Sequence, residues 1–267
     1  SYKIKKMKNI LTLIISFTFL FSFSQSDEVV NVQYQFIKVA DQDREEYEAF
    51  MLEFVSKIAE KAVEEGKITN LVLRRVNQGS MFSSNFNYMI ITAGQKNSPN
   101  WSEIMTKAYP NISPELRSWI WSKGNALRDI IYNAYTTRVE GFDRTPGTVS
   151  NIVVYNLIKA NSSKKNDYVE FEKDNAKNIE KYADTMEGWY CVTRNGQFAN
   201  GAAAWDVLTA DTFKTMKDVN TVWWTKIPQK EREKLTKKYG SLGGLRTIRH
   251  RIIAPLIYDA INGKSQN

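Results

Sequence analysis

From Val29 to Val39 the chain alternates. Val30, Val32, Tyr34 and Phe36 fall on one face and Asn31, Gln33 and Gln35 on the other, the period of two that marks a β-strand. The period then changes. Asp43, with Glu46 three residues on, offers a helix start, and Tyr47, Phe50, Phe54, Ile58 and Ala62 follow at helical spacing up to Gly66, which suits a helix C-terminus. Ile68–Val76 and Phe82–Ala93 predict two further strands, joined through Asn77-Gln-Gly79. Ser113-Pro114-Glu115 combines a hydroxyl cap, a proline at the first helical position and an acid in the first turn. Helical segments are therefore expected from about Asn100 to Asn133, and Ala134–Phe142 closes the series as a strand.

The same order returns. Val149–Ala160 predicts a strand and Lys165–Met186 a helix. Gly188–Arg194 and Gly201–Thr209 predict a hairpin around Asn195-Gly196. Helical segments are expected from Asp211 to about Lys238, and a last strand within Ile248–Leu256. Tyr34-Gln-Phe-Ile-Lys38 reappears as Tyr155-Asn-Leu-Ile-Lys159, 121 residues later. At that offset Tyr47 falls on Tyr168, Phe50 on Phe171, Ile58 on Ile179 and Ala62 on Ala183. A weaker echo, Leu127-Arg128 and Leu245-Arg246, lies near the end of each half. Any two amphipathic helices can be slid into register, but the tyrosine-centred strand match is not explained that way, so a duplication is expected. Asp143-Arg-Thr-Pro-Gly147 is the joint, giving repeats at 25–143 and 148–267.

Each half thus reads β-α-β-β-α-β, the ferredoxin-like plan. A tandem pair resembles the dimeric α/β-barrel superfamily. The resemblance covers nearly all of Val29–Leu256 and rests on element order and duplication, with no diagnostic motif. It implies an α+β fold with two ferredoxin-like repeats packed face to face into a pseudo-dimeric barrel. It also implies functional company that includes cofactor-independent monooxygenases and haem-binding enzymes. The Trp-containing helical segments are longer than the single crossover helix of the simplest members, which tells against a plain monooxygenase.

Lys3, Lys5, Lys6 and Lys8 precede Ile10–Phe21, an uncharged run too short to span a bilayer, which needs about 20 apolar residues. Ser22 and Ser24 then sit at −3 and −1 of a cut before Gln25, the layout of a secretory signal peptide over residues 1–24. An exported, periplasmic or secreted protein is expected, with no stable membrane insertion after cleavage. Removing those four lysines lowers the formal charge from +8 to +4, which is only mildly basic. The stretch Lys226–Arg251 carries nine Lys/Arg against two acids, but Glu231 and Glu233 interrupt it and export makes nucleic acid an unsuitable partner.

Chemistry is sparse. Cys191 is the single cysteine and alternates with Trp189 and Thr193 in a strand, so an inert, buried thiol is expected. His250 is the single histidine; flanked by Arg249 and Arg251, it is read as a structural residue rather than a base or haem ligand. No spacing suits a metal or a phosphate loop, so no cofactor and no metal are expected. The informative residues are polar groups in strands: Gln33, Gln35, Arg74, Asn156 and Arg194. A polar-lined cavity between the halves would account for them, and with His250 they form the candidate ligand set; catalytic residues are not assigned. The leading reading is a binding protein, non-enzymatic or at most weakly catalytic, for a small, partly polar ligand, working as a monomer or homodimer. A cofactor-independent monooxygenase or haem enzyme is the alternative that the resemblance implies. A third reading, an envelope or polysaccharide-interacting protein, rests on the basic segment and on Trp119, Trp121, Trp223 and Trp224.

Overall fold

A computed structural model describes residues 30–77, 85–94, 99–161, 163–196 and 204–264. The expected signal segment, and the first part of the strand expected over Phe82–Ala93, lie outside the described residues. Within them the first half runs β1 (Asn31–Lys38), α1 (Arg44–Phe50), a π-helical turn (Met51–Val55) and α2 (Ser56–Glu64). It continues through β2 (Asn70–Arg75), β3 (Tyr88–Ala93), α3 (Trp101–Ala108), α4 (Pro114–Ala126) and β4 (Asp129–Asp143). The second half runs β5 (Ile152–Ala160), α5 (Lys165–Tyr182), β6 (Met186–Arg194), β7 (Val207–Phe213) and α6 (Met216–Val219). After it come α7 (Gln229–Tyr239), α8 (Leu242–Leu245), β8 (Arg246–Asp259) and the short β9 (Gly263–Lys264).

The helix starts have local causes. Ser113 accepts from the Leu116 amide at 3.2 Å with proline at the first position of α4, and Thr215 and Asp218 form a capping box on α6. Asp43 makes no side-chain cap; a 3-10 turn at Asp41–Asp43 leads into α1 instead.

Hydrogen bonding orders the strands β2-β3-β1-β4-β6-β7-β5-β8, and a β2–β8 pairing closes them into a barrel of eight antiparallel strands. The expected barrel is present: the halves join edge to edge, through β4–β6 and β2–β8, which leaves no open edge to either half. Three buried layers result. Tyr34, Phe36, Met89, Ile91, Val153, Tyr155, Leu157, Leu208 and Ile252 fill the barrel interior. Tyr47, Phe50, Ile58, Leu73 and Ile104 lie between the first-half strands and their helices, and Tyr168, Phe171, Ile179, Trp189 and Phe213 occupy the matching layer of the second half.

The long fourth strands interlock the halves. The far end of β8 brings Ile257, Tyr258 and Ala260 into the first-half core, where the Tyr258 hydroxyl donates to the Ser56 carbonyl at 3.1 Å. The far end of β4 packs Val139 and Phe142 against the second-half core. Both faces of β7 are covered, and all seven of its residues are buried. At the β4–β6 seam the ladder slips between Arg138 and Glu140, and Gly141 takes a φ of 152°. A Cβ there would lie 2.6 Å from the Trp189 carbonyl oxygen, so the close approach requires glycine.

The echoes in sequence have counterparts in space. Tyr34 stands opposite Ile91 of β3 and Ala134 of β4, and Tyr155 opposite Ala210 of β7 and Ile252 of β8. Both point into the barrel and meet edge to face, with ring centroids 6.0 Å apart. Tyr47 and Tyr168 are each fully buried under the helix of their own half, with Arg128 and Arg246 respectively acting on them electrostatically.

Candidate functional site

Strand parity divides the six candidate residues between the two sides of the barrel wall. Arg74 pairs with Met89 and faces inward, Arg194 pairs with Thr136 and faces inward, and His250 sits opposite the interior Leu157. Gln33, Gln35 and Asn156 have the opposite parity and face the helices. A cavity between the halves therefore takes the arginine Arg74, not the amides, and no one cavity gathers all six. Gln33 and Gln35 line a pocket of about 190 Å³ under α1 and α4, with Met51, Ile90, Thr92 and Trp121. Arg74 lines a pocket of about 320 Å³ inside the barrel. Arg194 is stacked over Trp205, 4.7 Å from its ring centre, and neither it nor His250 lines these cavities.

Asn156 lines the largest of the three cavities, about 450 Å³ between the outer face of β5, β6 and β7 and the helix α5. Val222, Trp223, Trp224 and Leu242 wall it on the helical side. Its floor is polar. The Asn156 amide donates to Thr209 Oγ1 and to Asp211 Oδ2, both at 3.2 Å, and the Tyr168 hydroxyl donates to Glu172 Oε1. Asn175 Oδ1 is buried without a hydrogen-bond partner, and an unmade bond of that kind costs about 1–3 kcal/mol. Arg246 lies over the Tyr168 ring at 5.8 Å and acts electrostatically on both acids, while Arg251 acts on Asp211.

The two carboxyls are the unusual feature. Glu172 is 6% exposed and Asp211 7%. Burial pushes Glu172 up to about 7; the Asp211 charge adds to this, while the Tyr168 hydrogen bond and Arg246 oppose it. Burial likewise pushes Asp211 up to about 6, against the Asn156 hydrogen bond and the charges of Arg251 and Arg246. Each can thus change protonation near neutral pH, the property that general acid–base chemistry requires, and strongly shifted groups in a cleft mark candidate sites.

The first half lacks this acid pair. By strand register Gln35 occupies the place of Asn156, Ile90 that of Thr209 and Thr92 that of Asp211; by the offset of 121 residues Met51 falls on Glu172. At these positions the first-half cavity therefore carries apolar or neutral groups where the second-half cavity carries two buried acids.

Sequence reasoning reached Asn156 but missed Glu172 and Asp211. A signal existed for Glu172, which lies with Asn175 on the stripe Tyr168, Phe171, Ala176 and Ile179 that α5 buries. Asp211 was read as the start of a helical stretch; β7 in fact runs on to Phe213, which places it mid-strand between Val154 and Trp189.

A haem held by histidine or cysteine thiolate does not fit this cavity. His250 faces the barrel interior, on the other side of β8, and Cys191 is sealed in the second-half core with its thiol pushed up by burial. Among the described residues no group of three His, Cys, Asp or Glu could hold a metal ion, and no helix is long and apolar enough to cross a membrane.

Neither a protein-family model nor a curated protein matches the sequence. Solved structures do. A candidate monooxygenase from Lactobacillus acidophilus NCFM superposes with a TM-score of 0.52 at 11% identity, over 89% of this chain and 99% of that one. One from Fusobacterium nucleatum subsp. nucleatum gives 0.51 at 11%, over 89% and 96%. An anthrone oxidase-like protein gives 0.52 at 8%, over 92% and 99%. At these identities the likeness is one of fold: the chain has the closed dimeric α/β-barrel architecture.

Proposed function

We propose that the chain binds a small, flat, partly polar ligand in the cavity between α5 and the second-half strands, and that Glu172 and Asp211 move a proton on it. The observation that carries this reading is the pair of buried carboxyls facing one cavity, pushed to about 7 and about 6. Near neutrality the more acidic Asp211 is the readier base and Glu172 the readier acid, although their mutual repulsion makes the two protons a shared property of the pair. Trp223 and Trp224 supply apolar area suited to a flat ring, Arg246 a counter-charge for an anion formed by deprotonation, and Asn175 Oδ1 an acceptor for a ligand donor.

This moves the balance from a pure binding protein towards an enzyme, because the tuned ionisable group that catalysis needs is present beside a cavity. The descriptions of fold neighbours as monooxygenases and an anthrone oxidase-like protein suggest an oxygenation. An activated CH2 gives a proton to the acid pair, and one dioxygen then converts that CH2 to a carbonyl with release of one water. Anthrone is a suitable first probe. Dioxygen uptake with anthrone should be seen with the wild-type protein and fall at least tenfold in Glu172→Gln and Asp211→Asn. Equal uptake in all three, with no quenching of Trp223 and Trp224 fluorescence by the probe, would overturn the assignment.

The reading includes an exported chain built of tandem ferredoxin-like repeats over 25–143 and 148–267. The corresponding places of Tyr34 and Tyr155, and of Tyr47 and Tyr168, support the duplication. Intact mass of the exported form should correspond to a chain beginning at Gln25. Three lysines of the basic segment are engaged: Lys226 with Asp184, Lys234 with Glu231 and Lys238 with Asp174. That weakens the polysaccharide-surface reading.

A further inference from the structure

The pocket inside the barrel is chemically unlike the one beside α5. Its wall is largely aliphatic, formed by residues such as Val32, Val72, Ile91, Val153 and Val192 from both halves. Into this wall the fold places Arg74, only 3% exposed. Its Nη1 donates to the Ala254 carbonyl at 3.1 Å and, at 3.5 Å, to that of Asn151, and its Nη2 donates to the Ser150 carbonyl at 2.9 Å. Its Nε is buried and has no hydrogen-bond partner. Among the described residues no carboxylate forms an ion pair with it. Asp259 acts on it from a distance, but Asp259 Oδ1 accepts from the Ile261 and Asn262 amides at 3.0 and 2.8 Å and so is held in the β8–β9 turn.

A guanidinium buried among carbonyls and valines, with its Nε donor unused, is costly unless an anion joins it. The remaining groups at the pocket suit that role. The Tyr34 and Tyr155 rings meet beside Arg74, and the Tyr155 hydroxyl interacts directly with it. Arg138 sits over the Tyr190 ring at 4.7 Å, and the Tyr190 hydroxyl donates to Asp143, so the neighbouring acid is already engaged.

We propose that the barrel interior is a second ligand site, which takes a small organic carboxylate: the carboxylate against Arg74 and Tyr155, the hydrocarbon part against the valines, and Arg138 drawing the anion in. The mostly apolar wall favours a carboxylate with a hydrocarbon tail over inorganic phosphate, which would need more donors than the pocket offers. The site uses none of the groups of the α5 cavity and stands whether or not that cavity is catalytic.

The test is calorimetric titration of the full-length protein with benzoate and isovalerate, with benzamide and isovaleramide as neutral controls. Binding of the acids and not the amides is expected, weakened about tenfold or more in Tyr155→Phe and Arg138→Gln, as loss of a charge-assisted hydrogen bond or a steering cation implies. Glu172→Gln should leave it unchanged, which separates this site from the α5 cavity. Arg74→Gln should abolish binding; if circular dichroism shows that variant unfolded, Tyr155→Phe and Arg138→Gln decide. Equal binding of acids and amides, wild-type affinity in both of those variants, preference for phosphate, or no binding of either acid would each overturn the proposal.

Discussion

The buried acids should make the protein less stable as pH rises through neutrality. Glu172 moves from an ordinary value of 4.5 to about 7 on folding. The folded state therefore holds this proton more tightly than the unfolded chain. In acid both states are protonated and the group costs nothing. As pH climbs from about 4.5 towards about 7 the unfolded chain releases its proton first, so unfolding gains and folding stability falls; above about 7 the loss is complete. At 1.36 kcal/mol per pKa unit the loss from Glu172 is roughly 3 kcal/mol. Asp211, moved from 3.8 to about 6, acts in the same direction over a lower window. The two share mutual repulsion, so their losses do not simply add. Groups lowered by ion pairing, such as Asp174 and Asp184, work in the opposite sense and lose their contribution only in stronger acid, outside this window. Urea unfolding followed by circular dichroism at intervals from pH 5 to pH 8 is the assay. With a typical urea dependence the wild-type midpoint should fall by about 1 M across that range. In Glu172→Gln, where Tyr168 can still donate to the amide oxygen, the fall should be roughly halved. A wild-type midpoint that is level or rises, or an equal fall in Glu172→Gln, would refute the reasoning.

Three further outcomes follow from the geometry. Gly141→Ala should lower stability by about 1–3 kcal/mol, measured by urea unfolding, because a Cβ clashes with the Trp189 carbonyl at the seam joining the halves; a neutral effect would mean that the seam relaxes freely. Cys191 should resist a thiol-specific reagent in the native protein and react once it is unfolded, since burial pushes its thiol up and removes access; rapid native-state reaction would contradict this. The purified protein should show no Soret band, because His250 faces the barrel interior away from the α5 cavity; a band abolished by His250→Ala would reinstate a haem enzyme.

The legible part of the site was the part that broke a pattern. Asn156, Gln33 and Gln35 stand out as amides on strands, and Arg74 and Arg194 as charges within strands. Which side of the wall each faces was not legible, because alternation separates residues into two sets without saying which set is inside. The tyrosine face looks as suited to lie under a helix as within the barrel. Glu172 looked like one more charge on a charged helix, since Lys173 and Asp174 follow it. Its burial depends on α7, α8 and the Trp223–Trp224 segment packing over α5. Asp211 was hidden by a boundary error: Thr209, Asp211 and Thr212 interrupt the apolar run, and only coverage of both faces of β7 makes a strand of them.

The sequence alone determined most of the elements and their order, because periodicity, caps and turn residues are local properties that a chain carries wherever it goes. It also determined the correspondence of Tyr34 with Tyr155 and Tyr47 with Tyr168. Only the tertiary structure decided that the halves close edge to edge through β4–β6 and β2–β8, and that each last strand completes the other half's core. Closure creates the interior around Arg74, and the helices packed on the outer face of the second-half strands remove water from Glu172 and Asp211. Their raised proton affinity follows from desolvation, which depends on what lies across the cavity and not on the residues beside them in the chain.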